Sequence, residues 1–241
     1  MRQKGISSIL LPVFFIFLLF ACSDDDPSPG RNLPLPDPPN QTLSSYTYLA
    51  LGDSYTIGES VDTAFRWPNQ LRDSLDSKGV LVTEVKIIAR TGWTTGELIQ
   101  AIEDEAPRPR DLVSLLIGVN NQFRRLPFAE FQEEFDSLLS IARELATDAD
   151  RVFVVSIPDY GVTPFGSFNR ATIAQELDAY NDYMHDKCRD LRVPFINITE
   201  ISRELGDSEG ALAFDNLHPS GFQYSLWVEE ILPAVLATLG E

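Results

Sequence analysis

Basic residues are scarce in this chain. It holds 19 Lys and Arg against 36 Asp and Glu, a formal net charge of −17. So acidic a surface is repelled by nucleic-acid phosphates and by anionic lipid headgroups, which excludes nucleic-acid binding. Histidine is scarcer still, with only His185 and His218. Chemistry that needs an imidazole base therefore has two candidates and no more. Cysteine also appears twice, as Cys22 and Cys188, so modification of either leaves no disulfide possible. No apolar run reaches the roughly 20 residues of a membrane-spanning helix. The run Ile9–Ala21 falls short of that and contains Pro12. No internal repeat is present.

The N-terminal region does carry signals. Arg2 and Lys4 precede the apolar run, as a charged segment precedes the hydrophobic part of an export signal. The run closes on Leu19-Phe20-Ala21-Cys22, a small residue before a cysteine where cleavage belongs. This junction resembles the lipobox of bacterial lipoproteins. The resemblance implies removal of residues 1–21 as a signal peptide and attachment of diacylglycerol to the Cys22 sulfur. An ordinary secretory signal with an incidental cysteine is the alternative. With lipid on Cys22, Cys188 has no partner. Its helical setting near Tyr180, Tyr183 and Met184 suits a buried, inert thiol.

Residues 22–45 read as a tether. Six of the 16 prolines lie between Pro27 and Pro39. The segment has too little apolar surface to bury and favours extended polyproline geometry, at about 3.1 Å per residue. Ser23-Asp24-Asp25-Asp26 resembles the acidic export signal of surface lipoproteins in Bacteroidota-type bacteria, and reads equally as a solvated charge run. No glycine-turned loop or downstream ligand follows it, so it is not a metal site. The expected location is the bacterial cell envelope, lipid-anchored at the outer membrane, with the lipid as the only attachment to the bilayer.

Residues 46–241 suit one domain with a full core. Apolar runs at Tyr46–Leu51, Val80–Ala89, Leu112–Ile117, Arg151–Ile157 and Val193–Ile198 lack strict alternation, as parallel strands covered on both faces should. Helical patterns separate them at Trp67–Lys78, Thr95–Glu105, Phe128–Ala146 and Ile173–Leu191, with a last one at Tyr224–Leu239. Phe128, Phe131, Phe135, Leu138, Leu139, Ala142 and Leu145 fall on one face of the third. Alternating strands and helices predict a parallel α/β sheet with helices on both faces. Functional groups of such sheets sit on loops at the carboxyl ends of the strands.

Those loops carry the candidates. Gly52-Asp53-Ser54 follows the first strand, Arg90-Thr91-Gly92-Trp93 the second, and Gly118-Val119-Asn120-Asn121 the third. Asp215-Asn216-Leu217-His218-Pro219 stands near the C-terminus. Ser54 alone is a turn residue as readily as a nucleophile. A serine nucleophile needs a base, an orienting group and oxyanion donors. Asp215 and His218, three residues apart in a turn, can set a carboxylate against Nδ1 and leave Nε2 free for a serine proton. As a mere helix cap, Asp215 would not call for His218. His185, mid-helix among acids, reads as a surface histidine.

This ordered set resembles the GDSL-type SGNH hydrolases, over nearly the whole region from Leu49 to the final helix. The resemblance implies a flavodoxin-like three-layer α/β/α sandwich with a five-stranded parallel sheet. It implies Ser54 as nucleophile, His218 as general base and Asp215 as its orienting partner. The N–H groups of Ser54 and Gly92 and the side chain of Asn120 would form the oxyanion hole. No cofactor and no metal are implied, and the oligomeric state is left open. The activity implied is hydrolysis of acyl esters, the substrate being a small-molecule, lipid or glycan ester. Carbohydrate O-acetyl esterase and lysophospholipase-like esterase both fit. Two positions depart from the family pattern. Asn121 stands where Asp is frequent, and Tyr55 where leucine is. Asn121 is expected to brace its loop, Tyr55 to pack behind Ser54, and Asp53 to bond backbone amides of neighbouring turns. A non-catalytic glycan-binding or adhesion lipoprotein on the same scaffold is the competing reading, and the intact set argues against it. Phe65, Trp67, Trp93, Phe123, Tyr160, Phe165 and Phe168 are candidate wall residues, a minority of them expected at the site. The Pro- and Gly-rich stretch Ile157–Gly166 is expected to form a loop over it.

Overall fold

Five parallel strands form one sheet in the order β2-β1-β3-β4-β5. The structure is a computed structural model that describes residues 45–241. The proposed signal segment, Cys22 and most of the proline-rich tether lie outside the described residues. The strands are β1 (Ser45–Gly52), β2 (Leu81–Ala89), β3 (Leu112–Leu116), β4 (Val152–Val155) and β5 (Phe195–Ile196). The first begins at Ser45, which pairs with Leu81, so residue 45, assigned to the tether from the sequence, belongs to the sheet. β3 and β4 are buried along their whole length. β2 lies at an edge and exposes several residues, because only one neighbour covers its flank.

The long helices α2 (Trp67–Ser77), α3 (Thr95–Glu105), α5 (Phe128–Glu144), α6 (Arg170–Leu191) and α8 (Gly221–Leu239) occupy the connections, with short helices α1 (Ser54–Ile57), α4 (Val119–Phe123) and α7 (Thr199–Leu205). Helix α2 packs on α8, and α5 packs on both α3 and α6. Local chemistry sets their starts. Thr94 and Glu97 form a capping box that opens α3. Ser220, not Asp215, caps α8 by accepting the Gln223 N–H. The apolar face of α5 buries Phe131, Phe135, Leu138 and Leu139 completely. Each such side chain stabilises the fold by roughly 1.5–3 kcal/mol. The three short helices have too few residues to show a period, and the sequence pattern missed them.

Strand register positions the site. Gly52 pairs with Ala89 on one side and Leu116 on the other, so three strands end flush. The chain leaves β1 toward β2 and later crosses back to β3, which opens a crevice between β1 and β3. Gly52 is required by close approach, since a Cβ there would stand 2.2 Å from Thr56 Oγ1 and 2.4 Å from the Leu116 carbonyl.

Candidate active site

Ser54 is the first residue of α1, directly beyond the end of β1. Its side chain is almost wholly buried, yet it lines a cavity of about 140 Å³ together with Gly92, Asn120 and His218. Four loops separated in sequence thus meet at the crevice, as the spacing predicts. The Ser54 hydroxyl makes no hydrogen bond among the described residues.

His218 Nδ1 stands 2.8 Å from Asp215 Oδ2. Asp215 Oδ1 accepts the backbone N–H groups of Leu217 and His218 at 2.9 and 3.0 Å, which fixes the turn between the two side chains. A further donor, absent from the sequence reading, is the Ser60 hydroxyl, 2.5 Å from Asp215 Oδ2. Ser60 has φ +65, a left-handed conformation unusual for a residue with a side chain. Burial pushes the Asp215 carboxyl up, but the Ser60 hydroxyl, His218 and the two amides outweigh it and hold the pKa down at about 2. Tyr55 packs its ring edge-on to the His218 imidazole, with centroids 5.8 Å apart. It therefore steadies the histidine as well as the helix that carries Ser54. His185 lies on α6 with its side chain 55% exposed, outside the cavity.

Three residues with N–H donors, Ser54, Gly92 and Asn120, line this space. The Ser54 N–H opens a helix and has no intrahelical acceptor. Gly92 adopts φ +89, and its carbonyl is held by Arg124 Nη2 at 2.5 Å. Thr91 Oγ1 bonds the Glu59 carboxylate, so the Gly92 loop is pinned from both sides. Asn120 gives one amide hydrogen to the Trp93 carbonyl at 2.9 Å, which orients the group and leaves its second hydrogen unengaged. Gly118, at φ +124, makes the turn that delivers Asn120, and a Cβ there would lie 2.7 Å from the Phe131 ring. Asn121 is fully buried and braces the loop, its Oδ1 accepting the Thr95 N–H and its Nδ2 donating to Thr95 Oγ1.

Asp53 behaves more locally than expected. Its Oδ1 accepts the Tyr55 N–H and caps α1, while Oδ2 is buried without a partner. Burial, opposed by that N–H, pushes its pKa up to about 7. Of the aromatic wall candidates, Phe123, Tyr160 and Phe165 line the cavity. Trp67 is fully buried in the core against Phe153, and Phe65, Trp93 and Phe168 lie outside the cavity. The loop after β4 does cover the site. Asp159, whose side chain is 1% exposed, anchors it by bonding the Gly161 N–H and pairing with Arg203 at 2.9 Å.

Cys188 is buried, and burial pushes its thiol up to about 12. Among the described residues no group of three or more His, Cys, Asp or Glu could hold a metal, and no helix is long and apolar enough to cross a membrane.

A parallel sheet with a serine at a strand end, a paired histidine and unengaged N–H donors defines a hydrolase scaffold. The chain belongs to the GDSL-like lipase/acylhydrolase family, whose family model matches residues 50–226. It is a carboxylic ester hydrolase. No curated protein matches the sequence. Among solved structures, TesA is similar at 20% identity and TM-score 0.60, covering 80% of this chain and 99% of its own. The psychrotrophic esterase EstA from Pseudoalteromonas sp. is similar at 17% identity and TM-score 0.57, covering 81% and 99%. The acetylxylan esterase Axe2 from Geobacillus stearothermophilus is similar at 18% identity and TM-score 0.59, covering 83% and 96%. At these identities the likeness establishes the fold.

Proposed function

We propose that Ser54, His218 and Asp215 form the catalytic triad of an esterase selective for short acyl groups. The observation that carries this reading is the 2.8 Å His218–Asp215 pair, which opens with Ser54, Gly92 and Asn120 on one cavity. Asp215 holds His218 with Nδ1 protonated, so Nε2 can accept the Ser54 proton as Oγ attacks the acyl carbonyl. Negative charge moves to the carbonyl oxygen, toward the N–H groups of Ser54 and Gly92 and the free Asn120 hydrogen. His218 then gives its proton to the departing alkoxide. Water, deprotonated in turn by His218, releases the acid and restores Ser54.

The size and lining of the cavity support a small acyl group. Val119, Leu217, Phe123 and Phe165 make its walls apolar, and its 140 Å³ is well below the roughly 300 Å³ at which drug-sized pockets begin. An acetyl group fits within that space. Ser54→Ala should abolish turnover of p-nitrophenyl acetate and labelling by a fluorophosphonate, with the thermal midpoint kept. Retained turnover would remove Ser54 from the mechanism. A panel of p-nitrophenyl esters should fall in kcat/KM beyond about four carbons in the acyl group.

The Leu19–Cys22 junction supports a second proposal, that the enzyme is a lipid-anchored protein of the cell envelope. Cys22→Ser should then release it from the membrane fraction, and an unmodified Cys22 on the mature wild-type chain would refute lipidation.

A further inference from the structure

A second and larger cavity, of about 310 Å³, adjoins the candidate active site. Phe123, Tyr160 and Phe165 line both cavities and so form the partition between them. These rings pack on one another with centroids 5.7–6.2 Å apart. The rest of the larger cavity differs in chemistry, since Gln122, Arg125, Asn169, Thr172 and Glu176 line it. One relay fixes part of this wall. The Tyr160 hydroxyl donates to Gln122 Oε1 at 2.9 Å, and Gln122 Nε2 donates to Glu176 Oε2 at 2.6 Å. That leaves Glu176 Oε1 and the side chains of Arg125, Asn169 and Thr172, all of them exposed residues, open to solvent and without a hydrogen-bond partner among the described residues.

Arg125 is the unusual member. It takes φ +56 where α4 ends, a position that glycine or asparagine fills with less strain. Its side chain is exposed to solvent, and its guanidinium forms no ion pair among the described residues. Guanidinium offers only donors, and a carboxylate only acceptors. A ligand that meets both walls must give and accept hydrogen bonds around an otherwise compact body, and aromatic rings beside them favour C–H faces. A sugar ring has these properties.

Resting on the esterase reading above, we propose that this cavity is a glycan subsite, which holds the sugar that bears the ester while the acyl group enters the smaller cavity. The substrate is then a short-chain O-acyl ester of an oligosaccharide or polysaccharide. Arg125 donates to ring hydroxyls, Glu176 accepts from them, and the Phe123–Tyr160–Phe165 partition stacks on the ring. A zwitterionic lipid headgroup also bridges opposite charges, and turnover of lysophosphatidylcholine tells the two apart.

Arg125→Gly removes the guanidinium and suits the left-handed backbone, so the variant should fold. The measurement is the ratio of kcat/KM for O-acetylated xylo- and manno-oligosaccharides to that for p-nitrophenyl acetate. Hydrogen bonds to charged groups predict a fall of this ratio by about tenfold or more in Arg125→Gly, and a smaller fall in Glu176→Gln. An unchanged ratio for every sugar ester would overturn the subsite. Preferred turnover of lysophosphatidylcholine, lost in Arg125→Gly, would overturn it in favour of a lipid headgroup. A parallel arm needs no turnover. Unacetylated xylotriose or mannotriose should bind the Ser54→Ala protein by calorimetry or NMR, about tenfold more weakly when Arg125→Gly is added. Absence of saturable binding to either sugar refutes the subsite alone, whereas a wild-type enzyme inert to every ester refutes the esterase reading alone.

Discussion

Ser60 offers a sharp test of how the site is held together. Its hydroxyl donates to Asp215 Oδ2, the same oxygen that faces His218 Nδ1. Ser60→Gly removes that donor and also relieves the φ +65 backbone, which costs a residue with a side chain roughly 1 kcal/mol. The two effects are separable because they act on different observables. A hydrogen bond to a buried charge contributes about 1.5–3 kcal/mol. The Asp215 side chain is 25% exposed, so water can replace part of the hydroxyl, and about 1 kcal/mol remains. If that sum acts on the transition state, kcat/KM for p-nitrophenyl acetate falls about fivefold. The thermal midpoint should meanwhile hold or rise. Ser60→Ala should show the same kinetic loss without the gain in stability, since it keeps the strained backbone. The Asp215 carboxyl, held at about 2, should titrate at higher pH in both variants, visible by NMR. Full kcat/KM in Ser60→Gly would refute the reasoning and reduce Ser60 to a turn residue.

Other positions give independent tests. Asn120→Ala should lower kcat about 10²–10³-fold with KM changed less, as loss of one oxyanion donor does, and Asn120→Asp should be at least as damaging. Asn121→Ala should instead lower the thermal midpoint, because its amide is spent on Thr95; a normal kcat in Asn120→Ala would remove this side chain from the oxyanion hole. His218→Ala should cost several orders of magnitude in rate and His185→Ala almost nothing, and the reverse ranking would identify the wrong base. Asp53 makes a prediction about pH. Burial, opposed by the Tyr55 N–H, raises its folded pKa from 3.8 to about 7. The folded protein thus holds a proton that the unfolded chain has released, and stability from this group is full below about pH 4 and lost as pH rises through 7. Relative to Asp53→Asn, which cannot ionise, the wild type should lose stability between pH 4.5 and 7.5 in denaturant titrations. A constant difference across that range would mean the carboxyl is ionised throughout.

How far the sequence alone determined this protein depends on the range of the interaction involved. Burial periodicity acts within a segment, so the five strands and five long helices were legible, as was the parallel α/β class. The Asp215–His218 pair was legible for the same reason, being three residues apart in one turn. The first three motif blocks were legible as well, because each follows a strand and parallel strands end on one side, whereas the Asp215–His218 block lies in the loop between α7 and α8. The tertiary structure alone decided the flush register of Gly52 with Ala89 and Leu116, which brings those blocks into one cavity. It decided that Trp67 belongs to the core while Phe123 and Phe165 form a wall, since an aromatic residue reads alike in either place. It brought Ser60 to Asp215 across 155 positions of sequence, through a left-handed backbone that no local preference announces. It likewise set Arg125, at the end of α4, in a cavity with Glu176 on α6. Local patterns record which side of a segment faces water. Which distant side chains meet is settled only when the strands pair and the helices pack.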